Sequence, residues 1–481
     1  MPNRYANAPL ARLALALAVV ALCSSAEAAG VTPPPVTPTG ATASVATPTV
    51  VINIEKAGPE ALAQLKRSEG VLWFAEFGSE LLLGVPADAL APWLAKAGVR
   101  AGPSALARDE IVVRDLVCTQ HYPEPVIAVV GGYSLVRRPA ALAKVAGLSG
   151  MGGLPVPADG VIARMVANRS EPTAKRQPSP AEAALVARVS PDRWFDTMSA
   201  ISQFNRSSYS AELSSAHDWI STRFAEAGLN TSSHSFSLSN TSCQPAPPTV
   251  QLANPIGIKH GRSAPGQWIV VGAHYDSRNS ARCDGQAQPQ PGANDNASGC
   301  AGVIELARVF NGIDTEKSIV FACFAGEEQG LVGAYAYVQS LRDSGQLANV
   351  EHMINLDMIG HATSDALLAR IETTSTFQAE FARYRSAAAT FAPELSLIEA
   401  NTQAYSDHWP FIAAGVPAMF TWENGANIYP HYHLSTDLPQ NMLRARALAG
   451  GILKMDAAVL AELAVLAEPA LFVDGFEPAQ P

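Results

Sequence analysis

His274, Asp276, Asp295, Glu327, Glu328 and Asp357 are the side chains of this sequence that could do metal or acid–base chemistry together. An imidazole among several carboxylates is a hard-to-borderline donor set. It suits zinc or manganese better than copper or an iron–sulfur cluster. Further imidazoles follow in Ser406-Asp407-His408 and in His431-Tyr432-His433-Leu434-Ser435-Thr436-Asp437.

Each motif has two readings. His274 and Asp276 are two residues apart, so on an extended chain they point to one side. A carboxylate there can hold the far nitrogen of a metal-bound imidazole and fix its tautomer, although a solitary His-x-Asp is more often a surface pair. Asp295 lies in Gly292-Ala293-Asn294-Asp295-Asn296-Ala297-Ser298-Gly299. Its two oxygens could bridge two cations, or the turn could simply cap the helix that follows. Glu327 and Glu328 are costly as neighbours unless cations absorb the charge. One could bind metal while the other takes a proton from water, and the alternative is a solvated acidic turn. Asp357 is either a ligand or a strand-terminating cap.

The elements that must position these groups are short apolar runs. Trp268–Ala273 precedes His274, Ile319–Phe324 precedes the glutamate pair, and Met353–Leu356 precedes Asp357. Buried strands that deliver polar groups at their carboxyl ends are how an α/β sheet presents chemistry. Helices are expected over Trp194–Phe204, Ser214–Ala227, Gly299–Phe310, Leu331–Ser340, Phe377–Phe391 and Leu443–Ala467, and a further strand over Pro417–Thr421. Ser190-Pro191-Asp192 is a helix-start signal. Strand and helix alternate, so the class is α/β.

The 481-residue chain is long enough for more than one unit. With 48% hydrophobic and 16% charged residues it is globular in composition. A net charge of −10 without a Lys/Arg run argues against nucleic-acid binding. Residues 1–29 read as a signal peptide ending near residue 28. Arg4 and Arg12 lead into the apolar run Leu13–Leu22, and small residues suited to cleavage follow. The run is too short for a membrane anchor, so a secreted or periplasmic protein without stable membrane insertion is expected. Residues 30–175 form a propeptide or accessory domain. Val50–Glu55, Pro59–Lys66, Val71–Phe77, Glu80–Val85, Asp88–Ala97 and Glu110–Leu116 give it the β-α-β-β-α-β order of a small ferredoxin-like unit. Asn168–Pro180 reads as an exposed linker, with Lys175-Arg176 a plausible nicking site. Residues 190–467 are expected to form the unit that carries the candidate site, and 468–481 a short acidic tail. Among the cysteines, Cys243 and Cys283 are the preferred disulfide, and Cys323 reads as an inert buried thiol.

In order and spacing, the motifs resemble the co-catalytic zinc exopeptidases of the bacterial leucyl aminopeptidase type, over a span from Trp194 to Leu463. The resemblance implies a mixed, about eight-stranded sheet sandwiched by helices. It implies two Zn2+ ions, one held by His274 and Asp357, the other by Glu328 and His433, with Asp295 bridging. Glu327 is then the general base and Asp276 the residue that orients His274. His433 is preferred to His431 because His-x-x-x-Asp matches His433 and Asp437. Peptides with a free N-terminus are the implied substrates. Met358, Met419, Phe420, Trp422 and Tyr432 fall where the family lines its pocket and favour large apolar N-terminal residues. A monomer is expected. The chain departs from the family at Asn401-Thr402-Gln403-Ala404-Tyr405, which replaces a Cys-x-x-x-Cys segment and puts Gln403 where an aromatic is expected. Two rival readings are a single-zinc glutaminyl cyclase-like acyltransferase and a non-catalytic peptidase-fold binding protein. The first would lose the second-metal set and the second would lose ligands or base, whereas this chain keeps all of them.

Overall fold

The computed structural model describes residues 45–54, 59–78, 80–115, 126–130, 133–137, 154–156, 160–165, 176–239, 249–278, 290–363, 365, 367–401, 406–423 and 429–466. Residues 1–29, read as a signal peptide from the sequence, Cys118, Cys243, Cys283, Lys175, Gln403 and residues 468–481 lie outside them.

The N-terminal unit runs β1 (Thr49–Asn53), α1 (Pro59–Lys66), β2 (Trp73–Gly78), β3 (Glu80–Gly84), α2 (Leu90–Leu94) and β4 (Val99–Ala101). It continues through β5 (Ile111–Asp115), β6 (Val126–Val130), β7 (Tyr133–Arg137), β8 (Leu154–Pro155) and β9 (Val161–Met165). Strand alternation sets its two faces. Val50 and Ile52 pack with Leu62 of α1 and Trp93 of α2, while Val51 faces Phe77, Leu106 and Ile162. One expectation needs correction. The strand after α2 is Val99–Ala101, which pairs with β1. Ile111–Asp115, expected in that place, joins a separate four-stranded sheet in the order β6-β7-β5-β8. A three-residue strand is too short for alternation to register in sequence.

The second unit opens with α3 (Pro180–Val186), α4 (Pro191–Ile201) and α5 (Glu212–Glu226), then β10 (Asn230–Leu238), β11 (Val250–Lys259) and β12 (Ala264–His274). There follow α6 (Ser298–Val309), β13 (Lys317–Phe324), α7 (Val332–Asp343), β14 (Val350–Leu356), β15 (Leu367–Thr373), α8 (Phe381–Phe391) and β16 (Leu395–Asn401). The last elements are α9 (His408–Ala413), β17 (Ala418–Glu423) and α10 (Ala445–Ala464). Ser190 caps α4 by accepting from the N–H of Arg193, with Pro191 in the first turn.

The main sheet has 13 strands in the order β10-β11-β13-β12-β14-β17-β15-β16-β9-β2-β3-β1-β4. Eight of these strands, β10 to β17, come from the second unit, and β9 adds antiparallel to β16 and carries β2, β3, β1 and β4 with it. The two units also share a core, in which Ile398 and Ala400 of β16 pack with Phe77, Leu106 and Ile162. Strands β13, β12, β14 and β17 are mutually parallel neighbours, so their carboxyl ends converge on one rim. Both faces are covered. Ile269, Val271 and Ala273 of β12 join the cluster formed with α4, α5, α6, α8 and α10. Val270 faces the opposite cluster, with Tyr337 of α7 and Phe411 of α9. That double burial explains the near-continuous apolar runs of the central strands. β10 gave no such signal, since only Phe236 and Leu238 are buried along it.

Cys323 is not a free thiol. A disulfide joins it to Cys300, tying α6 to β13 across a Cα–Cα distance of 5.9 Å. Among the described residues no helix is long and apolar enough to cross a membrane.

Candidate metal centre

The rim of the parallel strands gathers the residues singled out from the sequence. His274 is the last residue of β12, Asp357 directly follows β14, and Glu327 and Glu328 follow β13 after a short turn. Asp295 lies in the turn before α6, and His433 in the loop before α10. Two groups of donor atoms form, His274 with Glu327 and Asp357, and Asp295 with Glu328 and His433, and within each the atoms lie within 4.8 Å of one another.

Asp295 connects the groups. Its Oδ1 is 3.3 Å from His274 Nε2 and its Oδ2 is 2.9 Å from His433 Nε2. Asp357 Oδ1 is 3.4 Å from His274 Nε2, and Glu328 Oε2 is 3.4 Å from His433 Nε2. Glu327 Oε2 stands farther off, 4.0 Å from His274 Nε2. His408 and His431 are not in either group. The neighbour of Asp295, not Asp295 itself, bonds the first turn of the helix. Asn296 Oδ1 accepts from the N–H of Gly299 at 2.7 Å, at the start of α6, and from the N–H of Met358 at 3.2 Å.

Asp276 does more than its expected part, and by a different route. His274 Nδ1 meets the backbone carbonyl of Asp276 at 3.1 Å, while the carboxylate is 3.6 Å away. That carboxylate instead accepts from Ser208 Oγ at 2.9 Å and from the backbone N–H groups of Glu327 and Glu328 at 3.2 and 3.3 Å. One side chain thus locks the end of β12 to the glutamate turn.

Other holders had no sequence signal strong enough to find them. Arg206 is fully buried and donates to the carbonyls of Tyr275, Ile201, Pro291 and Gly292 at 2.6–2.9 Å. Burial lowers its pKa to about 10, opposed by Asp437 and Asp276. Asp437, noted only as part of a motif, accepts from the N–H groups of Asn294 and Asp295 at 2.9 and 3.0 Å. Burial pushes its carboxyl up to about 7 against those bonds. Ser406 Oγ donates to Asp357 Oδ2 at 2.7 Å and accepts from Asn355 Nδ2 at 2.8 Å. Arg278 lies beside Glu328 and His433. Gly292 and Gly299 are forced by close approach. A Cβ would come within 2.2 Å of the Asp295 carbonyl at the first, where φ is +43°, and within 2.2 Å of the Leu356 carbonyl at the second. Met358 and His433 hold φ of 52° and 54°, a left-handed backbone that costs a side-chain-bearing residue energy and clusters at functional sites.

The apolar residues expected in a specificity pocket divide. Met358 and Met419 belong to the main core. Phe420 stacks between His408 and Trp422, and Trp422 packs against the core shared with the N-terminal unit. Tyr432 stacks on His433 with ring centroids 3.6 Å apart.

The electrostatics fit cations. Burial pushes the Glu327 carboxyl well above its usual range, His274 opposing and Glu328 adding to the shift. Burial likewise raises Glu328, opposed by His433, and Asp357, opposed by His274. Burial works in the same sense on Asp295, but hydrogen bonds from His274 and His433 outweigh it and hold that carboxyl below its ordinary value. Asp357 Oδ1 is buried with no hydrogen-bond partner among the described residues. Buried carboxylates in this number are unfavourable unless cations balance them, and imidazole with carboxylate is a zinc donor set.

Residues 254–451 match the model of peptidase family M28. A protein of the fungus Leptosphaeria maculans, named Probable zinc metalloprotease, is 30% identical over 274 residues, covering 50% of this chain and 62% of its own length. Aminopeptidase YwaD of Bacillus subtilis is 33% identical over 205 residues, covering 41% of this chain and 42% of its own. The chain therefore spans less than two thirds of either relative. Among solved structures, the aminopeptidase from Aneurinibacillus sp. strain AM-1 superposes with a TM-score of 0.50 at 18% identity, over 60% of this chain and 97% of that one. The LapA aminopeptidase of Legionella pneumophila does so at 0.50 and 17%, over 75% and 99%. At such identities these likenesses speak for the fold.

Proposed function

We propose that this chain is a secreted metallo-aminopeptidase of peptidase family M28, whose model residues 254–451 match, and that it removes large apolar N-terminal residues from peptides with two zinc ions. The observation that carries the reading is the Asp295 carboxylate, with one oxygen 3.3 Å from His274 Nε2 and the other 2.9 Å from His433 Nε2. A carboxylate spread between two imidazoles is the donor arrangement of a two-metal site. His274 and Asp357 would hold one ion, Glu328 and His433 the other, and Asp295 both. Zinc bound there would polarise the scissile carbonyl and acidify water.

The chain's own residues do the rest. Glu327 stands at the edge of the first group and is raised by burial. From that place, outside the proposed ligand set, its carboxylate would take a proton from the attacking water and return it to the leaving amine. Asp276 fixes that glutamate by bonding its backbone N–H. Tyr432, stacked on His433, offers an apolar wall to the substrate's first side chain.

For residues 30–175 the accessory-domain form of the reading is preferred to a removed propeptide. It is supported by the β9–β16 pairing and by the core that Ile398 and Ala400 share with Phe77 and Ile162. Arg176 also ion-pairs with Glu182 and lies over the ring of Phe391, which makes it a poor nicking site. N-terminal sequencing of the secreted active protein tests this, and a mature start between 175 and 190 would restore the propeptide.

The activity is tested by metal analysis together with a panel of aminoacyl-anilides and their N-blocked counterparts. Two zinc ions per chain and cleavage of the unblocked leucyl or phenylalanyl compounds are expected. Hydrolysis of blocked substrates at equal rates would exclude an aminopeptidase.

A further inference from the structure

The second donor group already has a cation of its own. Arg278 Nε is 2.7 Å from Glu328 Oε2 and 3.2 Å from His433 Nε2, and Arg278 Nη2 is 2.5 Å from His433 Nδ1. The Arg278 side chain is only 15% exposed. It has no acceptor, stays protonated, and spends its donors on atoms through which Glu328 and His433 would bind a metal. The first group has no such partner. Among the described residues the ion pairs of Asp357 and Glu327 are with His274 alone.

We propose that Arg278 is an internal competitor for the second metal ion, filling the Glu328–His433 position in the metal-free chain and yielding it when the ion binds. The proposal rests on the two-metal reading above. A metal ion bound to Glu328 Oε2 and His433 Nε2 would need the position that Arg278 Nε holds, 2.7 and 3.2 Å from those atoms, and two cations cannot share it, so the second ion must displace the guanidinium whereas the first displaces no cation. Two consequences follow. The ions bind in two unequal steps, the weaker belonging to Glu328 and His433. The metal-free fold is held together at this point by Arg278, which balances the acidic pair Asp295 and Glu328 until metal arrives.

The test is calorimetric titration of zinc into the metal-free full-length protein, with metal content measured in parallel. Two equivalents binding in resolved steps are expected for the unaltered chain. In Arg278→Met the second step tightens about ten- to hundredfold, the worth of a charged hydrogen bond or two, while the first step stays put. The thermal midpoint of the metal-free variant falls and that of the zinc-loaded variant does not. Arg278→Lys, which keeps the charge but not the planar fork, gives an intermediate second step and serves if the methionine variant does not fold. Two equivalents binding with indistinguishable affinity in the unaltered chain would overturn the proposal. So would a second step that is unchanged or weaker in both variants, and Arg278 would then be a support for Glu328. If the unaltered chain takes up only one equivalent, the two-metal reading itself fails and takes this inference with it.

Discussion

The two halves of the site are built differently. His274 and Asp357 stand at the ends of β12 and β14, adjacent parallel strands of the sheet, so register alone brings their side chains together. Asp357 is fixed further by its N–H bond to the Thr421 carbonyl and by Ser406. Asp295 and His433 come from loops, and the loops need dedicated holders. Arg206 gathers the carbonyls of Pro291 and Gly292, and Asp437 takes the N–H groups of Asn294 and Asp295. A strand-borne ligand inherits its position from the sheet, whereas a loop-borne one is only as precise as the polar groups around it.

The largest effect expected is on turnover, through the residue beside the first half that would touch substrate water. Glu327→Gln should lower kcat by about 10²–10⁴-fold, more if the same group also returns the proton, with the zinc content of both halves kept. Near-normal kcat at full metal loading would remove Glu327 from the base role.

Asp295→Ala strikes both halves at once, because its two oxygens face one imidazole each. Zinc per chain should fall at both positions, and the zinc-dependent gain in thermal midpoint should shrink, since bound metal stabilises the fold by mass action. Loss confined to one equivalent would mean that Asp295 serves a single half, and the comparison would need redrawing.

Asp437→Ala separates the halves. It removes the acceptor for two N–H groups at the Asp295 turn and lies four residues from His433, so it disturbs two ligands of the second half but only the shared Asp295 of the first. Groups that orient metal ligands typically cost about 10–100-fold in metal affinity when removed, and here the loss should appear in the second zinc step measured by calorimetry. An equal loss in the first step would show that the turn positions both halves.

The same division governs what could be read in the sequence. β12, β13 and β14 were legible because strands buried on both faces leave unbroken apolar runs, and the polar residue that ends each run marks the rim. The donor residues were legible as a set because their order resembled a family, while each alone remained ambiguous. Arg206 was not legible, since an arginine bonding four carbonyls looks in sequence like any charged loop residue. Arg278 was hidden for the same reason, one residue past the Asp276-Ser277 pair. The Cys300–Cys323 bridge was missed because a cysteine in a buried strand packs as a small apolar group whether or not it is oxidised. The union of the two units was also beyond reach. β9 meets β16 through backbone hydrogen bonds, which any sequence can supply, so pairing between distant edges leaves no pattern in either strand.

Ser406→Ala carries the smallest expected effect and gives the comparison its finest test. The hydroxyl donates to Asp357 Oδ2 and accepts from Asn355 Nδ2, both buried. Losing it leaves those groups short of a partner, which costs about 1–3 kcal/mol of stability and should appear as a lower thermal midpoint in the metal-free protein. The zinc site should suffer less than the fold. Asp357 keeps its backbone bond to Thr421 and its place at the end of β14, so its carboxylate stays aimed at His274. The first zinc step should weaken by less than the ~10-fold that marks the lower limit for loss of an orienting group, and the second step should not change. A first-step loss as large as that of Asp437→Ala in the second would mean that sheet register does not fix Asp357. Both halves would then depend equally on their polar holders.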